Sequence, residues 1–362
     1  MIKIAILDDS TTARTALRRA LEADSEILVV GEAQNGRELY RLIDRFQPDL
    51  LCIDVYLEKE NGLDVAAYVM THAPTPIVLV TATNPTDSRL VFKSMQCGVL
   101  DVFAKLPAAN RPEYESLRAN LIGTLKALAR VPVFRGRRNR AASGSLLADF
   151  RNRNQPAQDD GAPARISERS INSRTPDMVL IGASTGGPPV IQKMLQKLPA
   201  AFPAPIVIVQ HISRGFAAGF AQWLVQGIPL KGHLVEEETP INPGTVYVAP
   251  DDKHIQFISP RRLRPVTPLT TDNICPSIDM LFQSASQMKS CYCAAVLLTG
   301  MGKDGAQGLT DLYSIGNYTI AQSPESCAVS SMPQTAIEQG GVTEVLAPEK
   351  IADKLMALTG EK

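Results

Sequence analysis

The chain has 362 residues, more than one average domain holds, so its length predicts two domains. Hydrophobic residues make up 44% and charged residues 20% of the sequence, a composition that suits globular domains with large buried cores. The 37 basic and 37 acidic side chains cancel, so the net charge indicates neither nucleic-acid binding nor attraction to a membrane surface. The sequence shows no signal-peptide pattern and no apolar run of roughly 18 residues, so we expect a cytoplasmic protein without direct membrane insertion.

Apolar runs alternate with amphipathic segments throughout residues 1–130. The apolar runs predict five strands, at Ile2–Leu7, Ile27–Gly31, Leu50–Ile53, Ile77–Val80 and Leu100–Phe103. Other segments place apolar residues at helical spacing and predict helices at Thr12–Ala23, Gly36–Phe46 and Glu113–Ala129. This βα alternation predicts an α/β domain built on a doubly wound parallel sheet.

Residues 131–174 differ in composition, and we interpret them as a flexible linker. From Arg130 to Arg174 the chain carries ten arginines, no lysine and four acidic residues. Most of the other residues are small or polar, so few apolar side chains are available to form a core. A basic arm that binds an acidic partner is the alternative to a plain linker.

The βα alternation resumes in residues 175–362. Apolar runs predict strands at Met178–Ile181, Ile206–Val209, Val246–Ala249, Ala294–Leu298 and Tyr318–Ala321. Helical spacing predicts helices at Pro188–Leu198, Ala217–Val225, Ser277–Gln287 and Ile351–Leu358. The predicted architecture is therefore two α/β domains with doubly wound parallel sheets, joined by a linker.

Five polar side chains stand where strands of the first domain end. They are Asp8, Asp9, Asp54, Thr81 and Lys105. The carboxyl ends of parallel strands share one crevice, so we expect these side chains to lie together. Three carboxylates suit a hard cation such as Mg²⁺, and the hydroxyl and ammonium groups suit the oxygens of a phosphoryl group.

This arrangement resembles the response-regulator receiver family over residues 1–130. The resemblance implies a flavodoxin-like (βα)5 fold, with Asp54 as the phosphoacceptor and Asp8, Asp9 and Asp54 as ligands of Mg²⁺. It also implies that Thr81 and Lys105 contact the phosphoryl group, and Gly62 falls where the family has a glycine. The chain departs from the family pattern at three places: Leu57-Glu58 replaces Met-Pro, Val102 replaces the aromatic switch residue, and Leu106 replaces the proline after the lysine. A docking domain that is never phosphorylated is the alternative interpretation.

In the second domain, the strand Met178–Ile181 leads into Gly182-Ala183-Ser184-Thr185-Gly186-Gly187. A strand, a glycine turn and a helix start would place the Ser184 hydroxyl beside backbone N–H groups that can stabilise an oxyanion. The sequence Gly-x-Ser-x-Gly also matches the nucleophile-elbow pattern. Glycine turns of this kind also bind phosphate, and a serine in one is often only a helix cap.

Only four histidines are available as a base, and His211 has the favourable position because it follows the strand Ile206–Val209. His254 follows a turn at 249–253, and His233 is expected in the polar connection Lys231–Glu238. A third strand leads into a glycine-rich segment that contains Asp304. Its carboxylate can orient His211 and stabilise the imidazolium form while His211 removes the Ser184 proton.

These residues lie in segments that resemble the chemotaxis protein-glutamate methylesterase family, over about residues 176–350. The matching segments are IGASTGGP (181–188), QHIS (210–213), YVAPDDKHI (247–255), PSIDMLF (276–282), LTGMGKDGAQGL (298–309) and IAQ (320–322). The resemblance implies a Rossmann-like domain in which Ser184 is the nucleophile, His211 the base and Asp304 its orienting acid. It also implies that the backbone N–H of Met301 contributes to the oxyanion hole.

Together, the two resemblances imply a phosphorylation-controlled hydrolase. It would demethylate glutamate 5-O-methyl esters on the cytoplasmic region of a chemoreceptor, and deamidate specific receptor glutamines, in chemotaxis-type adaptation. A histidine kinase would be the phosphodonor, Mg²⁺ would serve the receiver, and hydrolysis would need no cofactor. We expect a monomer that binds no nucleic acid. The alternatives are a non-catalytic receiver that docks partners or acts as a phosphate sink, and a nucleotide-binding module that uses Gly182–Gly187 as a phosphate loop.

Overall fold

The computed structural model describes residues 1–82, 99–130, 174–269, 274–288 and 290–360. These residues form two parallel sheets flanked by helices, and one small antiparallel sheet. The flexible linker predicted at 131–174 lies outside the described residues except for Arg174, so the domain limits remain predictions. No helix of the described residues is long and apolar enough to cross a membrane.

The first sheet has five strands in the order β2-β1-β3-β4-β5, and every neighbouring pair is parallel. Its central strands are buried on both faces, which explains their continuous apolar sequences. The chain order 2-1-3-4-5 places the switch point between β1 and β3, where a ligand crevice is expected. The strands are β1 (Ile2–Leu7), β2 (Ile27–Ala33), β3 (Leu50–Ile53), β4 (Ile77–Thr81) and β5 (Val99–Ala104).

Three of the four described helices of the first domain begin at a polar cap. Ser10, Asn35 and Asn61 each accept a hydrogen bond from a backbone N–H in the first turn of the following helix. The described helices are α1 (Thr11–Glu22), α2 (Gly36–Phe46), α3 (Gly62–His72) and α4 (Tyr114–Leu128). The sequence predicted all of these except α3.

The second sheet has seven parallel strands in the order β15-β14-β13-β6-β7-β10-β8. Its switch point lies between β6 and β13, because the chain moves outward from β6 to β7 and later returns to the other side of β6. The strands are β6 (Met178–Ala183), β7 (Ile206–Gln210), β8 (Lys231–Leu234), β10 (Thr245–Val248), β13 (Cys293–Leu297), β14 (Tyr318–Gln322) and β15 (Glu344–Leu346).

Among the described residues, six α-helices flank this sheet, and an antiparallel sheet of β9 (Thr239–Pro240), β11 (His254–Ser259) and β12 (Arg262–Val266) packs beside it. The helices are α5 (Gly187–Leu195), α6 (Ala217–Gln226), α7 (Ile278–Ser286), α8 (Ala306–Ser314), α9 (Ser331–Glu338) and α10 (Pro348–Thr359). The two-domain α/β fold predicted from the sequence is confirmed.

His254 follows the segment 249–253, as the sequence predicted, where it begins β11 and is only 1% exposed. One local prediction was wrong. His233 was expected in a connection, but it lies on β8, an edge strand of the large sheet. An exposed edge strand needs no apolar alternation, so its sequence looks like a loop.

Candidate functional site

The first domain gathers the five predicted side chains at the carboxyl edge of its sheet. Asp54 is buried and accepts two short hydrogen bonds: Thr81 Oγ1 donates to Oδ1 at 2.6 Å, and Lys105 Nζ donates to Oδ2 at 2.7 Å. Lys105 Nζ also lies 2.6 Å from Asp8 Oδ2. Asp9 accepts a bond from the Glu58 N–H at 2.6 Å. Asp54 is therefore held by the hydroxyl and the ammonium group that would contact a phosphoryl group on it.

Burial and charge shape the titration of this pocket. Burial raises the pKa of Asp8 above its usual value, although Lys105 opposes the shift. For Lys105, burial works to lower the pKa, but its bonds to Asp54 and Asp8 outweigh burial and raise it. The lysine is therefore a permanent cation among the acids.

Gly62 has a steric role beside the phosphoacceptor. A Cβ at this position would lie 1.8 Å from the carbonyl oxygen of Asp54, so only glycine fits. Its N–H donates to Val55 O at 2.9 Å, which closes the loop after Asp54. The glycine of the family pattern thus lets the loop fold back onto the acid.

The acids of this pocket fit a divalent cation. Asp8, Asp9 and Asp54 each offer a carboxylate oxygen, and these atoms lie within 4.8 Å of one another. All-oxygen ligands and clustered negative charge are what Mg²⁺ prefers.

In the second domain, the switch point brings three loops together. Ser184 follows β6 and His211 follows β7, at the neighbouring ends of two strands whose last residues, Ala183 and Gln210, are paired in register. Paired strands lie about 4.8 Å apart, so the two residues leave the sheet side by side. The backbone joins them further, because the His211 N–H donates to Ala183 O at 2.9 Å.

The third loop, after β13, contacts the Ser184 turn directly. The Ser184 N–H donates to Thr299 O at 3.0 Å, and the Thr299 hydroxyl donates to Thr185 O at 3.0 Å. A Cβ on Gly300 would lie 2.6 Å from the Ser184 Cβ, so this glycine permits the close approach. The loop that leads to Asp304 is thereby fixed against the serine turn.

His211 and Asp304 form a close pair. His211 Nε2 lies 2.8 Å from Asp304 Oδ2, and the two side chains are 16% and 7% exposed. Because the carboxylate can only accept when ionised, Nε2 carries the proton in this bond. The remaining ring nitrogen, Nδ1, is then the basic atom. No hydrogen bond joins the Ser184 hydroxyl to the His211 ring among the described residues, so the third side of the triad remains a prediction.

The pKa of Asp304 is low despite its burial. Burial works to raise the pKa, but the bond and the charge interaction with His211, together with N–H bonds from Ile278 and Asp279, lower it to about 2. The carboxylate is therefore ionised at any physiological pH and can stabilise an imidazolium at His211.

Met301 was predicted as an oxyanion-hole donor, and its surroundings suit that role. The N–H groups on either side are used: Gly300 donates to Val329 O at 2.8 Å, and Gly302 donates to Ser331 Oγ at 3.0 Å. In the described part of the chain, no hydrogen bond takes up the N–H of Met301 itself. It is a donor available at the mouth of the crevice.

Two residues that brace this site were not predicted from the sequence. Gln210 Nε2 donates to both Ser184 O and His211 O at 2.8 Å, and so ties the two predicted catalytic segments together. Ser277 donates to Asp304 Oδ1 at 2.9 Å. Both lie inside the matching segments QHIS and PSIDMLF, which was the available signal, but nothing in their spacing assigned them a contact.

The two domains touch at this crevice. A Cβ on Gly123 of α4 would lie 3.0 Å from Met301 Sδ. The side chain of Thr185, the residue after Ser184, interacts with Asp101 of β5 and works to lower the pKa of that carboxyl. Ala328 and Val329, beside the Ser184 turn, pack against the apolar cluster of the first domain.

Comparison with known proteins identifies the family. A model described as CheB methylesterase matches residues 179–355, and one described as response regulator receiver domain matches residues 4–111. The protein-glutamate methylesterase/protein-glutamine glutaminase 3 of Anaeromyxobacter dehalogenans is 35% identical over 356 residues, 98% of each chain. The corresponding protein 1 of Syntrophus aciditrophicus is 36% identical over 363 residues, 99% of each chain. The chain belongs to the CheB methylesterase family.

The crystal structure of the Thermotoga maritima CheB methylesterase catalytic domain is also similar, with 36% identity and a TM-score of 0.48. It covers 51% of this chain and all of its own. The family models and the two relatives confirm the CheB methylesterase family and the receiver domain that the sequence predicted. The roles of the individual site residues remain predictions that the geometry above supports.

Proposed function

We propose that this chain hydrolyses glutamate methyl esters on the cytoplasmic region of a chemoreceptor, by an acyl-enzyme mechanism at Ser184. The observation that carries the proposal is the short bond between His211 and the ionised Asp304, at the strand end beside Ser184. It provides an oriented base next to a hydroxyl at a glycine turn.

The hydrogen bond between His211 Nε2 and Asp304 leaves His211 Nδ1 to accept the Ser184 proton. The serine oxygen attacks the ester carbonyl, and the Met301 N–H stabilises the oxyanion of the tetrahedral intermediate. The imidazolium, held by Asp304, returns the proton to the methoxy group, and methanol leaves. Water then attacks the acyl-enzyme by the same route, which frees the glutamate carboxylate and restores the serine. A glutamine side chain reacts in the same way with ammonia as the leaving group.

The receiver domain would control this reaction. Gly123 and Asp101 lie against Met301 and Thr185, so the docked receiver stands at the mouth of the crevice. Phosphorylation of Asp54 by a histidine kinase, with Mg²⁺ at the acidic pocket, would shift the population toward an undocked, open form. The substrate region lies in the cytoplasm, so we place the protein there.

Methanol release from a methylated chemoreceptor fragment tests the proposal. We expect release by the wild-type chain, faster with a small-molecule phosphodonor and Mg²⁺, and a loss of at least a thousandfold in Ser184→Ala. The control is Ser314→Ala, an exposed serine of α8, which should match the wild type. Release that is equal in wild type and Ser184→Ala would reject the esterase. A non-catalytic receiver predicts no release from any variant.

A further inference from the structure

The start of α7 surrounds the carboxylate of Asp304. Oδ1 accepts hydrogen bonds from the Ser277 hydroxyl at 2.9 Å and from the Asp279 N–H at 3.0 Å. Oδ2 accepts the Ile278 N–H at 2.7 Å as well as His211 Nε2 at 2.8 Å. Three of the four donors therefore belong to one helix start, where N–H groups and the helix dipole favour an anion.

The orientation of the Ser277 hydroxyl is fixed from three directions. Its oxygen accepts the Met280 N–H at 3.3 Å, as the cap of α7. The Ser277 backbone N–H donates to Nδ1 of the buried His254 at 3.0 Å. A hydroxyl has one proton, and here that proton is directed to Asp304.

A crossed contact joins α8 to α7. Asp304 lies two residues before the first residue of α8 and accepts bonds from the start of α7, while Asp279 in α7 accepts the Gly308 N–H of α8 at 2.7 Å. The start of α7 is thus bound by a carboxylate from the loop before α8, and the start of α8 by a carboxylate of α7. Gly308 permits this crossing, because a Cβ there would lie 2.6 Å from the Cβ of Phe282 in α7.

The same helix start also rests on the strand that carries the serine. The Ile278 side chain is fully buried over Gly182, where a Cβ would lie 2.3 Å from Ile278 Cγ2. Ile278 therefore connects the strand before Ser184 to the carboxylate of Asp304. A displacement of α7 would change the position of the acid relative to the nucleophile.

We propose that Ser277 and Asp279 are positioning residues, which hold the Asp304 carboxylate in the orientation that His211 needs. The proposal rests on the esterase function proposed above. Neither residue is proposed to touch the substrate. Ser277 acts through its hydrogen bond to Asp304, and Asp279 acts through the crossed contact with α8.

Variants at Ser277 separate positioning from folding. Glycine caps a helix almost as well as serine, so Ser277→Gly removes the donor to Asp304 at little cost to α7. Ser277→Thr retains a hydroxyl. With the full chain, Mg²⁺, a phosphodonor and a methylated receptor fragment, we expect kcat to fall about tenfold or more in Ser277→Gly, with KM within about twofold of wild type. Ser277→Thr should restore most of kcat.

A spectroscopic measurement reports the bond itself. The proton between His211 and Asp304 should give a low-field proton NMR signal in the wild type, which Ser277→Gly loses or shifts upfield. Ser286→Ala is the matched control, because Ser286 lies in the same helix and bonds only Gln283 O within the described residues. It should change neither the signal nor kcat.

Variants at Asp279 test the crossed contact. Asp279→Asn keeps an oxygen to accept the Gly308 N–H, whereas Asp279→Ala does not. We expect Asp279→Ala to resemble Ser277→Gly and Asp279→Asn to retain most of kcat. Should Ser277→Gly fail to fold, the two Asp279 variants and Ser277→Ala test the positioning role by the same measurements of kcat and KM.

The two proposals fail in different ways. Wild-type kcat and an unchanged low-field signal in Ser277→Gly and Asp279→Ala would overturn the positioning role while leaving the esterase intact. A wild-type chain that releases no more methanol than Ser184→Ala would instead overturn the esterase itself.

Discussion

Gly123 in the last helix of the receiver lies against Met301 in the loop of the esterase crevice, so closely that a Cβ at position 123 would lie 3.0 Å from Met301 Sδ. Glycine inside a helix costs about 1 kcal/mol relative to alanine, so the close approach has a local cost in helix stability. This contact covers the residue whose N–H we assign to the oxyanion hole. We infer that through this contact the docked receiver blocks the reaction.

A larger side chain at this position should weaken docking. We expect Gly123→Leu to raise methanol release by the unphosphorylated chain about tenfold, because overpacking at such a contact costs about 1–3 kcal/mol. The rate with a phosphodonor should not change. Ala119→Leu, at an exposed position of the same helix, is the control and should behave like wild type. An unchanged basal rate in Gly123→Leu would show that this contact does not restrain the enzyme.

The docked interface should also respond to pH. Burial raises the pKa of Asp101 to about 7, against the lowering effect of bonds from the Val102 N–H and Thr185. A raised pKa in the docked form means that docking binds a proton, so docking is strongest at low pH and weakens as the pH rises through about 7.

The measured quantity is the ratio of basal to beryllofluoride-activated methanol release between pH 5.5 and 8. The ratio cancels the pH dependence of the chemistry itself. It should rise with pH in the wild type and stay low and flat in Asp101→Asn, which is neutral throughout. Asp64→Asn, at an exposed receiver position, should follow the wild type. Parallel curves for wild type and Asp101→Asn would show that ionisation of Asp101 does not control docking.

Removal of divalent metal should separate regulation from hydrolysis. The acids Asp8, Asp9 and Asp54 fit Mg²⁺, while no part of the proposed hydrolytic mechanism requires a metal. We therefore expect EDTA to abolish stimulation by a phosphodonor and to leave basal methanol release unchanged. Asp9→Asn should reproduce the effect of EDTA, and the exposed Asp44→Asn should not. Loss of basal release in EDTA would show that the esterase reaction itself needs a metal.

The charge of Asp304 should be essential. Its pKa of about 2 keeps it ionised, so it can stabilise the imidazolium that forms at His211. In Asp304→Asn the charge is lost and the amide can favour the wrong tautomer, so we expect kcat to fall about 10³- to 10⁴-fold. The exposed Asp252→Asn serves as the control. A fall of less than tenfold would remove Asp304 from the mechanism.

The sequence predicted the site residues through strand ends. Ser184, His211 and Asp304 each follow an apolar run, and parallel strands place such positions at one edge of the sheet. The receiver pocket followed from the same rule, with Asp54, Thr81 and Lys105. Short or polar elements were missed, including β8, α8 and α9, because an exposed edge strand or a two-turn helix leaves a weak periodic signal.

Local pattern along the chain determined the fold class, the two sheets and the candidate side chains, because buried strands and helices impose periods of apolar residues that a sequence displays directly. Only the tertiary structure decided which distant groups meet. The bonds of Ser277 to Asp304, the crossed contact of Asp279 with Gly308, and the approach of Gly123 to Met301 depend on how separate helices and loops pack. Such contacts have no period in the sequence, since each is set by a three-dimensional fit between segments far apart in the chain.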